Sequence, residues 1–172
     1  MIERSKVIEN VKNNGVTVAK FLGFIKKDPP AIITRKIGEE LEKFEDYIDM
    51  EYEYKVFEQD GEMYADILYT IGGRLETVIQ NYVDNGEGIR AMIMDKIGVV
   101  TLDSIKDEIE KEIYKDYGYR VTSEGYPGSP RYPLRIQKEI LDKMKNVKSI
   151  NVNEYFQLNP VKSVALRLTL SE

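Results

Sequence analysis

The 172-residue chain has no cysteine, no histidine and no tryptophan. Without thiols there is no disulfide scaffold, thiolate nucleophile, iron–sulfur cluster or cysteine-bound zinc. Without imidazole there is no histidine-based dyad or triad, and no histidine ligand for a metal or a corrin cobalt. Acid–base work falls to Asp, Glu, Lys or Tyr. No apolar run approaches the roughly 18 residues of a membrane span, so no membrane partner is expected. The opening stretch MIERSKVIENVKNNG is too charged for a signal peptide, which makes the cytoplasm the expected location.

What is present is an ordinary mixture, 42% hydrophobic and 32% charged, which reads as globular rather than disordered. The 25 basic and 30 acidic residues are interleaved and give a net charge of −5. There is no basic stripe, so no nucleic-acid partner is expected. The length suits one domain over residues 16–172, preceded by a helical arm over 1–15.

Hydrophobic period orders the chain. Residues 1–14 read as a short charged helix stopped at Gly15. Val16–Phe24 is apolar and is expected to pack on the core. Asp28-Pro29-Pro30 opens a helix running to about Tyr47, with Asp28 as its expected cap and Ile32, Ile33, Ile37, Leu41 and Phe44 at helical spacing. The period then changes to two. Tyr52, Tyr54 and Val56 alternate with Glu51, Glu53 and Lys55, Asp60-Gly61 marks a hairpin turn, and Met63–Ile71 returns. A helix follows from Arg74, closed at Asn85-Gly86, then a long one over about Gly88–Tyr117. The first half of the long helix is apolar nearly all round and is expected to be buried, with Asp95 inside it. Residues 118–133 read as a long loop, holding three of the six prolines. A helix over Leu134–Lys145 and a strand over Val161–Leu170 complete an α+β pattern on a small, mainly antiparallel sheet.

Phosphate-loop and dinucleotide fingerprints are absent. The acidic pairs Glu45/Asp49, Asp107/Glu110 and Glu108/Glu112 read as solvated helix faces. Asp95 reads first as an inter-helix hydrogen-bonding group. The 119–132 loop is the leading site. Arg120 and Arg131 flank Gly125-Tyr126-Pro127, where an Arg fork suits a carboxylate, a Tyr ring can stack on a base and Gly permits close backbone approach. A proline-stiffened structural loop fits the same residues equally well.

These stretches have a family likeness. KFLGF with the DPP helix, YADILYTIGGRLETVIQNY, AMIMDKIGVVTLDSI, YRVTSEGYPGSPRYPLRIQKEI and NPVKSVAL span roughly residues 18–166. In this order they resemble the activation (reactivation) domain of cobalamin-dependent methionine synthase, in particular its short stand-alone versions. The resemblance implies a twisted, mainly antiparallel sheet with helices packed around it. It implies binding of S-adenosylmethionine and support of the reductive remethylation of cob(II)alamin. The cobalamin would be carried by a partner, a corrinoid-binding methyltransferase (methionine synthase), with a flavodoxin-type electron donor. The chain would then be an accessory domain with no catalytic or metal-ligating residue of its own. The family holds its ligand on a loop of the form Arg-x-x-x-Gly-Tyr-Pro. Gly125, Tyr126 and Pro127 match it and Arg120 is the counterpart of its Arg, with four intervening residues in place of three. Arg131 is the substitute. The alternatives are a non-catalytic interaction module that keeps the fold without the ligand, and an activator of another corrinoid methyltransferase.

Overall fold

A computed structural model describes all 172 residues. Helices α1 (Arg4–Lys12), α2 (Gly15–Phe21) and α3 (Ala31–Lys43, extended by a 3₁₀ turn over Phe44–Tyr47) come first. Strands β1 (Glu51–Gln59) and β2 (Glu62–Thr70) form a hairpin, then α4 (Arg74–Asp84) and the 30-residue α5 (Gly88–Tyr117) follow. Strand β3 (Arg120–Gly125), helix α6 (Ile136–Lys143), the short pair β4 (Asn151–Val152) and β5 (Leu158–Asn159), and β6 (Ser163–Ser171) complete the chain.

The main sheet has the order β1-β2-β6-β3, antiparallel throughout. Its hairpin turn is two residues long. Asp60 and Gly61 have φ of 53° and 80°, the primed-turn geometry that matches strand twist. The last strand enters beside β2, so β2 and β6 are central and β1 and β3 are edges. The fold is α+β, with an open antiparallel sheet and helices around it.

Each face of the sheet has its own cover. On one face Ala65, Ile67 and Tyr69 of β2 and Leu166, Leu168 and Leu170 of β6 cluster with Ile93, Ile97, Val100, Ile105, Ile109 and Ile113 of α5. Those α5 positions recur at steps of three to five residues, the stripe that turns one helix face inward. Val7, Ile8 and Val11 of α1 join the same cluster, so the N-terminal helix packs onto the body. The opposite face carries Leu68 and Ala165 against Ile136, Ile140, Met144, Val147 and Ile150.

Three buried carboxylates tie these layers. Asp66 of β2 is fully buried. It accepts two bonds from the Arg167 guanidinium of β6, at 2.6 and 2.9 Å, and one from Lys143 of α6 at 2.6 Å. Glu40 of α3 accepts from Tyr82 of α4 at 2.7 Å and from Arg90 of α5. Glu108 of α5 bonds Lys6 of α1 at 2.6 Å and Lys111 at 2.7 Å. Charges this deep are tolerated because each has direct charge-assisted partners.

Five expectations change. Glu108, read as part of a solvated helix face, is buried and paired. Residues 118–133 are not all loop, since Arg120–Gly125 pairs with β6 as an edge strand. Its Val121 and Ser123 face successive β6 residues across a bulge, which blurs the alternation that would have marked a strand. Asp28 caps nothing, because α3 starts at Ala31 and Pro30 takes the cap position. The first half of α5 is not buried all round, with Ile89 and Met92 half exposed. Asp95 is only partly buried and makes no inter-helix bond, pairing instead with Lys162 just before β6 at 2.5 Å and with its neighbour Lys96 at 3.0 Å.

Removing one partner from a buried ion pair typically costs about 3–5 kcal/mol. Asp66→Ala is therefore expected to lower the unfolding free energy by about 3 kcal/mol in urea, since it strands Arg167 in the interior. Adding Arg167→Leu should recover much of that loss; a double variant no better than Asp66→Ala would show that the pair is not the linkage described.

Candidate functional site

The expected site residues all belong to β3 and the turn after it, with Arg120 and Gly125 at opposite ends of the strand. β3 runs extended from Arg120 to Gly125, and about 3.3 Å of rise per residue separates these two by about 16 Å. The Arg120 guanidinium stacks over the Tyr114 ring, 5.3 Å from its centre, near the end of α5. Gly125 sits at the other end, buried, opposite Arg167 of β6. A Cβ at this position would lie 2.3 Å from the Tyr132 ring, so only glycine fits.

Beyond Gly125 the chain makes a compact turn. Ser129 N–H donates to the Tyr126 carbonyl at 3.1 Å, and Gly128 N–H to the Tyr132 carbonyl at 2.6 Å. Pro127 stiffens its start. Tyr126 projects from it with its ring half exposed. Arg131, in the same turn, lines a cleft of about 450 Å³ with Tyr64, Tyr132, Arg135 and Arg167, beside α6. The structure thus joins Gly125, Tyr126 and Pro127, sets Arg120 at the far end of β3, and places Arg131 in a cleft walled by Tyr132 and Arg167, the two residues that adjoin Gly125.

Around Tyr126 stand groups that sequence reasoning passed over. The Tyr126 hydroxyl donates to Glu124, and the Lys106 ammonium from α5 donates to the other oxygen of the same carboxylate. Asp103 and Glu110 flank Lys106 on α5, at steps of three and four residues. Burial pushes both of these carboxyls above their ordinary range, with Lys106 opposing the shift and Glu124 adding to it. Burial would raise Glu124 too, but its bonds from Lys106 and Tyr126 outweigh burial and hold it low. Burial and the bond to Glu124 push the Tyr126 phenol up to about 12. The buried Tyr69 of β2 lies within the field of the same cluster.

This arrangement has a definite chemical character. Two carboxylates ionise against desolvation and would gain from a cationic group placed beside them. Tyr126 offers an open aromatic face, which attracts cations and stacks on planar rings. Lys106 is the one cation next to that ring. The polar spacing of Asp103, Lys106 and Glu110 was visible in the sequence. It could not be told from a solvated helix face until β3 was placed against it.

The fold defines an α+β domain with an open antiparallel sheet, an architecture shared with a solved structure. The particular likeness is to the crystal structure of the MetH reactivation domain bound to AdoHcy, with a TM-score of 0.73 at 12% identity over 94% of this chain and 75% of that one. No protein-family model and no curated protein matches the sequence. The shared property is the fold.

Two outcomes test the site's construction. Gly125→Ala is expected to destabilise the chain by about 1–3 kcal/mol through overpacking, with Tyr132→Ala in the same chain restoring much of it. For Asp103, the raised pKa means that the folded state prefers the protonated form. Its contribution to stability is complete below the ordinary aspartate range and falls as pH rises through the shifted value. Asp103→Asn should therefore stabilise the chain at pH 7 relative to pH 4, by under about 1 kcal/mol after solvent screening. Melting curves across that range check the sign.

Proposed function

We propose that the chain binds S-adenosylmethionine at the Tyr126 surface and acts as an activation-domain-like accessory in the reductive remethylation of cob(II)alamin. The observation that carries this reading is the fold-level likeness to a reactivation domain solved with AdoHcy. The chemistry of the site agrees with it. S-adenosylmethionine has two cationic groups and one carboxylate, and the Tyr126 surface sets Asp103, Glu110 and Glu124 around one ammonium.

On this reading the bound cofactor supplies an electrophilic methyl group to a reduced corrin cobalt held by a partner methyltransferase, with a flavodoxin-type protein as electron donor. Asp103 and Glu110 face the cationic groups. Lys106 pairs with the ligand carboxylate in the place the family gives to its Arg, leaving Glu124 to hold Tyr126. The Tyr126 ring lies against the sulfonium or the adenine. Displacement of a sulfonium needs little proton transfer, so positioning is the protein's task and the absence of His and Cys is no handicap. A cytoplasmic setting fits such a system.

A second reading has a specific observation in its favour. Arg120 stays with Tyr114 rather than with Tyr126, as expected if the chain kept the fold and became an interaction module without the ligand.

Isothermal titration with S-adenosylmethionine, S-adenosylhomocysteine and ATP separates the two. The first reading expects saturable binding of both adenosyl ligands, none of ATP, and about tenfold weaker binding in Tyr126→Ala. Lys106→Gln should weaken binding while Arg120→Gln leaves it unchanged. A flat trace up to millimolar ligand selects the interaction module.

A further inference from the structure

Between α2, the loop that leaves it and α3 runs a groove of about 1030 Å³. Its size lies at the top of the range of small-ligand sites, roughly 300–1,000 Å³. Its floor is the nearly covered Ala19, Ile37 and Leu41, with the half-buried Phe24 beside them. Val16 and Ile25, also on its wall, are 69% and 74% exposed. None of these residues belongs to the Tyr126 surface.

The charge of the groove runs against that of the chain. Lys20, Lys26 and Lys27 stand along it with Asp28 as the only acid, in a protein of net charge −5. Lys6, Lys106, Lys143 and Lys162 each have a carboxylate partner, whereas none of the three groove lysines has one. Three ammonium groups beside exposed apolar surface are complementary to a molecule with an apolar body and an anionic head.

A glycine points the same way. Gly38 lies inside α3 and lines the groove. Glycine in a helix interior is unfavourable relative to alanine because it gives up more backbone freedom. Packing explains such a glycine elsewhere, as at Gly98, where a Cβ would lie 2.7 Å from Leu75 Cδ2. At Gly38 a Cβ would meet nothing within 4 Å. No neighbour in the chain requires the missing side chain, and its absence keeps the groove open.

We propose that the α2–α3 groove binds an amphipathic organic anion, with its apolar body along Phe24, Ile37 and Leu41 and its acidic head among Lys20, Lys26 and Lys27. Fluorescence titration of the whole chain with 1-anilinonaphthalene-8-sulfonate tests it, with dodecanoate as competitor and dodecyltrimethylammonium as the cationic control. The expected result is one dye per chain, displaced by dodecanoate at concentrations about tenfold below those of the cationic amphiphile. Gly38→Leu should weaken dye binding about tenfold by filling the groove, and the double variant Lys26→Glu/Lys27→Glu should do so by reversing its charge. Gly38→Ala should raise the melting temperature and keep binding, and Tyr126→Ala should leave it untouched. The double variant changes only exposed side chains, so the test survives if Gly38→Leu does not fold. Dye binding unchanged in both the leucine and double variants would overturn the proposal. So would equal displacement by the two amphiphiles. Dye binding that falls as protein concentration rises would assign the groove to a second copy of the chain and overturn it as well.

Discussion

The bond between Asp66 and Arg167 holds the fold in register. It joins residues 101 positions apart, across the two central strands, with Lys143 adding a third element to the same carboxylate. Arg167 stands directly opposite Asp66 on β2 and, on its other side, opposite Gly125 on β3. A one-residue slip of β6 would turn Arg167 into the α5 core and bring Leu166 and Leu168 to the α6 face. A bidentate guanidinium pair allows no such slip, because its two bonds need the planar groups to face each other. The rings of Phe57 and Tyr64, stacked at 5.8 Å, lie against the same guanidinium and shield it from water.

The candidate site inherits its geometry from that register. Gly125 lies beside Arg167, so Tyr126 leaves the sheet at the point where β3 passes the middle of α5. The placing of α5 depends in turn on the other two buried carboxylates. Glu40 holds its first turn through Arg90, and Glu108 holds its second half to α1 through Lys6. With both ends tethered, Lys106 is presented to Glu124, flanked by the exposed Asp103 and the half-buried Glu110.

Much of the fold was legible in the sequence. The alternation of Tyr52, Tyr54 and Val56 and the Asp60-Gly61 turn specify a hairpin by local geometry alone, and β1 and β2 form it. The extent of α5 follows from unbroken helical period between Gly88 and Gly118, which takes φ of 77° and ends the helix. β3 was hidden because a bulged edge strand beside glycine and prolines has neither clean alternation nor strong propensity. The site was legible in part. Gly125-Tyr126-Pro127 stands out by composition, and its glycine is now explained by the Tyr132 ring. Lys106 and Asp103 did not stand out and Glu110 read as part of a solvated face, because charged residues on a helix look alike until a partner element selects one face. Gly38 gave no signal either, since a mid-helix glycine explains itself only when its surroundings are known.

The sequence by itself determined the elements, the hairpin and the lack of imidazole and thiol chemistry, since these rest on period, local backbone preference and composition. Only the tertiary structure decided where the last strand inserts, which carboxylates are buried and which charges meet Tyr126. It also separated Arg120 from Gly125, because an extended strand carries each residue some 3.3 Å from the last. Those outcomes rest on contacts between distant residues, which local pattern does not encode.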